Sequence, residues 1–273
     1  MAVKMITEKK ERVKNKSVLL FSGGMDSVIF NKLLNPDVLL YVNSGVNYEK
    51  EEQNCLNNLI KKNYIDKSKL VILKNVVNLS QWERDDKIIP NRNAILMMLS
   101  SLYGETLYLG SVSGDRSFDK DDIFYIRMED LLNHMWEEQH WTEKRTFKIL
   151  SPYKDTTKTE LVKKYIKQGN DPQSLFISFS CYDPKDGVAC GFCKPCFRKW
   201  VSLVNNNVAI PDGYFVNNPA LAPWIKEVEP LIRQSKWRGK EDPEIMNALQ
   251  KAFENNIDKK AEMLADIIIK SQK

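Results

Sequence analysis

The chain has 273 residues, 42% hydrophobic and 28% charged, which suits one globular α/β domain with a good core and an appendage. Forty-one basic against 36 acidic side chains leave a net charge of +5, too mild a surplus to argue for nucleic acid by itself. No run approaches the ~18 apolar residues of a membrane span.

Residues 1–16 are charged, lack the apolar centre of a secretory signal, and read as a lead-in. Val18 to Phe21 then has strand character, Ser22-Gly23-Gly24 is a turn, and Asp26 to Leu34 reads as a helix. Glycines let the backbone approach a bulky anion without a Cβ clash, and the helix N-terminus supplies free N–H donors. Ser22 and Ser27 add hydroxyls. Asp26 is the odd member, since a carboxylate beside phosphates needs a cation such as Mg²⁺ between them. No Gly-Lys-Ser/Thr follows, so this is not a Walker A loop. The plain alternative is a tight strand-to-helix turn.

Val38–Val42 is a second strand ending in Asn43-Ser44-Gly45, and Tyr48 to Lys62 is a polar helix. Lys69–Leu73 is a third strand, residues 82–86 a loop, 91–103 a helix, and Thr106–Leu109 a fourth strand ending at Gly110. This alternation predicts a parallel sheet covered on both faces, with ligands beyond the carboxyl ends of its strands. Cys55, in the second helix, is expected to lie away from that edge as a small buried apolar group. In Pro90-Asn91-Arg92-Asn93 a helix begins with an Arg able to fork onto phosphate or carboxylate, or to stay a surface Arg.

Thr157 with Glu160 forms a capping box, so a helix runs from there to about Gln168 with Gly169 as its stop. Lys158 then stands in the first turn, where the dipole disfavours a cation. It is either an exposed helix lysine or has an anionic neighbour. Cys181, Cys190, Cys193 and Cys196 follow a C-x8-C-x2-C-x2-C pattern that offers four sulfurs to one ion. Zinc fits, and an iron–sulfur cluster is the rival. Such clustering suits a reducing compartment, hence the cytoplasm. His134 and His140, on an expected helix, are assigned no chemistry. Lys236 to Lys240 is basic and is read as a solvated loop in preference to a phosphate contact. A helix is expected from Asp242-Pro243, with Ile245, Leu249, Phe253, Ile257, Ala261, Leu264 and Ile267 as its apolar stripe.

Ser22-Gly23-Gly24-Met25-Asp26-Ser27 resembles the signature of the PP-loop ATP pyrophosphatases, which cleave ATP between the α and β phosphates and leave AMP on a substrate oxygen. Pro90-Asn91-Arg92-Asn93 resembles the Pro-Gly-Arg-Asn turn of the 7-cyano-7-deazaguanine synthases, with Asn91 for the glycine. Ser180-Cys181-Tyr182 and the run Cys190 to Arg198 resemble their zinc site. The resemblance covers residues 17–200 and implies a PP-loop fold that uses ATP, Mg²⁺ and structural Zn²⁺. Its substrates would be 7-carboxy-7-deazaguanine and ammonia, and its assembly a homodimer. It places Ser22, Gly23, Gly24, Met25, Asp26 and Ser27 on the nucleotide, with Arg92 and Lys158 neutralising departing pyrophosphate.

The chain departs from that family between Gly110 and Asn133, where an Asp-Tyr-Ser-Gly-Tyr-Pro-Asp-Cys-Arg run is replaced. Asp115, Phe118 and Asp119 are the substrate-side residues there, or a plain loop. Rival readings are an enzyme stopping at the amide, a PP-loop tRNA-modifying enzyme, and a protein-modifying or binding derivative. The expected organisation is a lead-in (1–16), a PP-loop domain (17–175), a four-cysteine segment (176–200) and a helical extension (201–273), which packs on the core or serves a macromolecular partner.

Overall fold

In the computed structural model, which describes residues 15–254, five short strands form one sheet with every pair parallel. They are β1 (Ser17–Leu20), β2 (Val38–Val42), β3 (Leu70–Leu73), β4 (Thr106–Tyr108) and β5 (Lys148–Leu150), in the order β3-β2-β1-β4-β5. In β1, neighbours Val18 and Leu19 point to opposite faces and both are wholly buried, as a strand covered on two sides requires.

The helices are α1 (Met25–Leu34), α2 (Glu49–Lys61), α3 (Arg92–Ser100), α4 (Asp122–Met135) and α5 (Lys158–Lys167). They continue with α6 (Gln173–Ile177), α7 (Lys194–Asn205), α8 (Ile225–Arg233) and α9 (Asp242–Glu254). One face of the sheet buries Leu19 and Leu39 with Val28, Leu56 and Leu161 from α1, α2 and α5. The other buries Val18, Leu40 and Leu107 with Met97 and Leu132 from α3 and α4. Because β1 lies between β2 and β4, the connections diverge at its carboxyl end and leave a crevice there.

A second core forms where α7, α8 and α9 meet, with Phe197, Trp200, Ile225, Ile232, Trp237, Ile245 and Leu249 buried together. Helix α7 crosses residue 200 and belongs to both cores, since its Leu203 packs with the sheet. The tail stripe is buried at Ile245, Leu249 and Phe253, while Ile257, Ala261, Leu264 and Ile267 lie outside the described residues. The expected solvated loop at 236–240 is corrected: Trp237 is buried in the second core and Arg238 is turned inward. Helix α3 ends at Ser100, and the chain tightens there into i→i−3 bonds, Leu102 N–H to Leu99 and Tyr103 N–H to Ser100. His134 occupies the last turn of α4, whereas His140 lies past its end in a turn. No described helix is long and apolar enough to cross a membrane.

Candidate active site and metal centre

The Ser22–Ser27 turn sits at the carboxyl end of β1, in the crevice. Gly23 has φ +74°, and Gly24 is the N-cap of α1 in extended conformation. A Cβ on Gly23 would stand 3.1 Å from Cys55 Sγ, so the turn is packed from below. Gly24 N–H donates to Ser22 Oγ at 3.2 Å, and Met25 N–H to Ser180 Oγ at 3.2 Å. Asp26 and Ser27 follow in the first turn, where N–H groups have no intrahelical acceptor. The Met25 side chain is buried in the core, which leaves its backbone as the part that faces the loop. Ser27 Oγ donates back to Gly24 O at 2.9 Å.

Lys158 Nζ pairs with Asp26 Oδ2 across 132 residues of sequence, so the anionic neighbour expected for the first turn of α5 is Asp26. The capping box at Thr157 and Glu160 sets where that helix begins. Burial presses the Lys158 ammonium below its ordinary range, and Asp26 works the other way. The second Asp26 oxygen, Oδ1, is buried without a hydrogen-bond partner among the described residues. An orphaned carboxylate oxygen beside free N–H groups fits a magnesium–phosphate ligand, which would satisfy both at once.

Arg92 begins α3 behind Asn91, whose φ of +60° is left-handed as the glycine replacement requires. Its guanidinium stands among Tyr48, Tyr182 and Glu52. Tyr48 and Tyr182 stack, ring centroids 5.7 Å apart. Burial lifts the Glu52 carboxyl to about 7, against the pull of the Tyr41 hydroxyl that donates to it at 3.0 Å. Next to Arg92, Asn93 Nδ2 donates to Asp119 Oδ2 at 2.8 Å and ties α3 to the 110–120 loop.

In that loop Asp115 accepts from Arg198 Nη1 at 2.8 Å and from Lys120 Nζ at 3.2 Å. Burial opposes its charge, but those two cations hold the carboxyl far below the usual range. Asp119 also accepts from Ser117 Oγ. Phe118 is 89% exposed, a ring presented to solvent.

The four cysteines bring their sulfurs within 4.8 Å of one another. Cys193 Sγ and Cys181 Sγ are 3.9 Å apart. A tetrahedron with Zn–S bonds of about 2.3 Å has edges of about 3.8 Å, so one ion of that size fits. The same closeness leaves no room for the extra atoms of an iron–sulfur cluster. Asp183 N–H and Cys190 N–H donate to Cys181 Sγ at 3.3 and 3.2 Å, and Cys193 N–H to Cys190 Sγ at 3.3 Å, which supports thiolate charge. The segment also touches the Ser22–Ser27 turn, because Phe179 N–H donates to Gly23 O at 3.1 Å.

The family model described as "Queuosine biosynthesis protein QueC" matches residues 16–206. The chain belongs to the QueC family. The 7-cyano-7-deazaguanine synthase of Chlorobaculum parvum is 27% identical over 231 residues, covering 74% of this chain and 97% of that protein. Those of Psychromonas ingrahamii and Pseudoalteromonas translucida are 25% and 28% identical, covering 73% of this chain and 97% and 98% of theirs. The QueC match stops where α7 ends, and α8 and α9 lie beyond it.

Several charged residues of this QueC site were not found from sequence. Arg198 enters the sequence reading only as the end of the cysteine run and Lys120 only within the altered loop, and neither Lys199 nor Glu241 stands out. Folding joins Lys120, Arg198 and Glu241 through Asp115. Lys199 is buried and donates to Ser178 O and Oγ at 2.7 and 2.9 Å, bracing the segment behind the Ser22–Ser27 turn. Burial lowers its pKa to about 8. Cys55 is buried as expected, yet it lies directly under the turn, its thiol donating to Gly23 O at 3.3 Å. Burial pushes that thiol up to about 12, which removes it as a nucleophile.

Proposed function

We propose that this chain converts 7-carboxy-7-deazaguanine and ammonia into 7-cyano-7-deazaguanine at the expense of two ATP. The observation that carries the reading is the Asp26–Lys158 pair at the mouth of the Ser-Gly-Gly turn, with one Asp26 oxygen left without a partner. Backbone N–H groups of Asp26 and Ser27, with the hydroxyls of Ser22 and Ser27, would hold the β,γ-phosphates, and those of Gly24 and Met25 would join them by giving up the Ser22 and Ser180 hydroxyls. Asp26 would hold Mg²⁺, which supplies charge neutralisation there. Lys158 would neutralise the charge that builds on departing pyrophosphate, with Arg92 as the second cation.

A carboxylate is a poor electrophile, and its attack on the α-phosphorus of ATP expels pyrophosphate and leaves an acyl adenylate. Ammonia adds to that carbonyl, AMP leaves, and the amide results with loss of a proton. A second ATP activates the amide oxygen in the same way, and loss of AMP with two protons leaves the nitrile. Ammonia is itself the nucleophile, so no cysteine is needed, in keeping with the inert Cys55. Catalysis is then positioning plus electrostatics. Asp115, Phe118 and Asp119 enter on the substrate side, Asp115 as an anchor for Lys120, Asp119 as the tie to α3 and Phe118 as a ring open to a heterocycle. The four thiolates would hold Zn²⁺ as a structural ion.

The test is incubation with ATP, Mg²⁺, ammonium and 7-carboxy-7-deazaguanine, followed by mass spectrometry and an AMP assay. The nitrile mass with about two AMP per product is the expected result, by the stoichiometry of two activations. The amide mass with one AMP places the chain at the shorter reaction. Absence of AMP above background, with ATP still bound, refutes the substrate.

A further inference from the structure

Two features set this chain apart, the altered loop at 110–122 and the helices beyond residue 206, and in the fold they touch. Arg198, on α7, grips Glu241 with two parallel bonds, Nε to Oε2 at 2.8 Å and Nη2 to Oε1 at 2.6 Å. The same guanidinium donates to Asp115 Oδ1 at 2.8 Å and to Ser113 O at 3.2 Å. Arg238 Nη1 donates to Gly114 O at 2.6 Å. Gly114 has φ +85°, and a Cβ there would stand 2.7 Å from Glu241 Oε2, so the loop lies flat on the extension. The grip reaches the other side of the crevice too. Glu244 accepts from Thr157 Oγ1 at 2.7 Å, and Lys240 Nζ donates to Asp155 O at 3.3 Å, just before Lys158. The turn that does this is itself fixed by Asp242, which accepts the N–H groups of Trp237, Arg238 and Gly239.

A forked Arg–carboxylate pair is the most directional of charged contacts, and a buried one is kept where geometry matters. Glu241 satisfies Arg198 along one edge, which leaves Nη1 for Asp115, and Asp115 in turn presents its other oxygen to Lys120. Lys120 keeps a quarter of its side-chain surface open. It lies in the fields of Asp26 and Arg92, and the neighbouring Asp119 is pinned to the start of α3. The chain of contacts therefore ends in a partly exposed ammonium group within the fields of Asp26 and Arg92. Resting on the proposed reaction, we propose that Lys120 takes the carboxylate of the substrate and that Glu241, acting through Arg198 and Asp115, positions it.

The acid and the amide of that reaction differ by the negative charge, so the two substrates separate binding of the carboxylate from general damage. Lys120→Met is expected to raise KM for the acid about tenfold more than KM for the amide, with KM for ATP within about twofold of wild type, and Lys120→Arg to recover most of the loss. Glu241→Gln is expected to show the same acid-over-amide bias. It should also speed amide hydrogen exchange across residues 111–121 by about tenfold while residues 17–34 exchange as before. Equal losses for acid and amide in Lys120→Met overturn the proposal. So does unchanged exchange at 111–121 in Glu241→Gln. Should Glu241→Gln not fold, Lys120→Met, on a partly exposed loop, still decides the binding role. If the wild-type chain releases no AMP with this acid, the substrate reading has failed, and exchange in Glu241→Gln alone decides whether Glu241 positions the loop.

Discussion

Asp26 has two oxygens with different fates, one on Lys158 and one buried without a partner, and that asymmetry sets what each residue does. On the proposed reaction the Lys158 ammonium would neutralise charge that grows as pyrophosphate departs, so its removal would be felt most at that step. Lys158→Met is expected to lower kcat for AMP release by about 10²–10³-fold, by analogy with loss of one transition-state donor, while ATP still binds. Single-turnover AMP release beside a nucleotide-binding titration checks this, and loss of binding alone argues against it. Glu52 makes a second, separable prediction. Burial pushes its carboxyl from an ordinary 4.5 up to about 7 in the folded chain. Between those values the folded state keeps a proton that the unfolded state has released, so stability falls as pH rises through the window. The Glu52→Gln variant cannot ionise there. Between pH 4 and pH 8 the wild-type chain should lose on the order of 3 kcal/mol more unfolding free energy than the variant, an upper value. Denaturant unfolding at both pH values measures it, and parallel losses refute it.

At the scale of elements, the cysteine hook and α7 act as one part. Cys193 is the N-cap of α7 and Cys196 lies in its first turn, so an ion held by the four thiolates would fix the direction in which that helix leaves. From α7 come Arg198 toward the loop and Lys199 toward the phosphate turn. A preparation is expected to hold about one zinc per chain, the ion that a closed four-thiolate site suits, and iron in its place would overturn that expectation. Cys193→Ser should lose the ion and lower thermal stability by several kcal/mol, since binding energy is folding energy in such sites. Metal analysis with a melting curve tests both, and a metal-free variant that melts like wild type would show the hook to be dispensable. The turn at Ser22–Ser27, the clustering of the four cysteines and the capping box were legible in the sequence because their residues lie close together along the chain. Arg198 meets Asp115 from 83 residues away and Glu241 from 43, and no local pattern marks such partners. Strand β5 is three residues with exposed ends, too short to show alternation, and in α8 the apolar stripe Ile225, Val228 and Ile232 is masked by Pro230, which reads as a helix breaker. The basic run at 236–240 misleads for the same reason, since burial of Trp237 depends on α7 and α8.

For the whole molecule the question is whether the helices beyond the QueC match are an attachment or a wall of the enzyme. If they were a separate partner-binding module, cutting the chain near Pro219 would leave ATP cleavage intact. The packing argues otherwise. Phe197, Trp200 and Val201, within the QueC match, have their buried faces against Ile225, Ile232, Trp237, Ile245 and Leu249, outside it. Burying one such side chain is worth about 1.5–3 kcal/mol, so losing five of these partners removes an amount comparable with the whole net stability of about 5–15 kcal/mol. The cut would also strip Glu241 from Arg198 and Glu244 from Thr157, leaving a buried guanidinium without its fork. A chain ending at Asn218 is therefore expected to bind a hydrophobic dye, to unfold without a sharp transition, and to release no AMP above background. A soluble, cooperatively folding fragment that still cleaves ATP in the presence of the acid would show instead that the phosphate turn and the hook form a complete enzyme, and that the extension only rests against it.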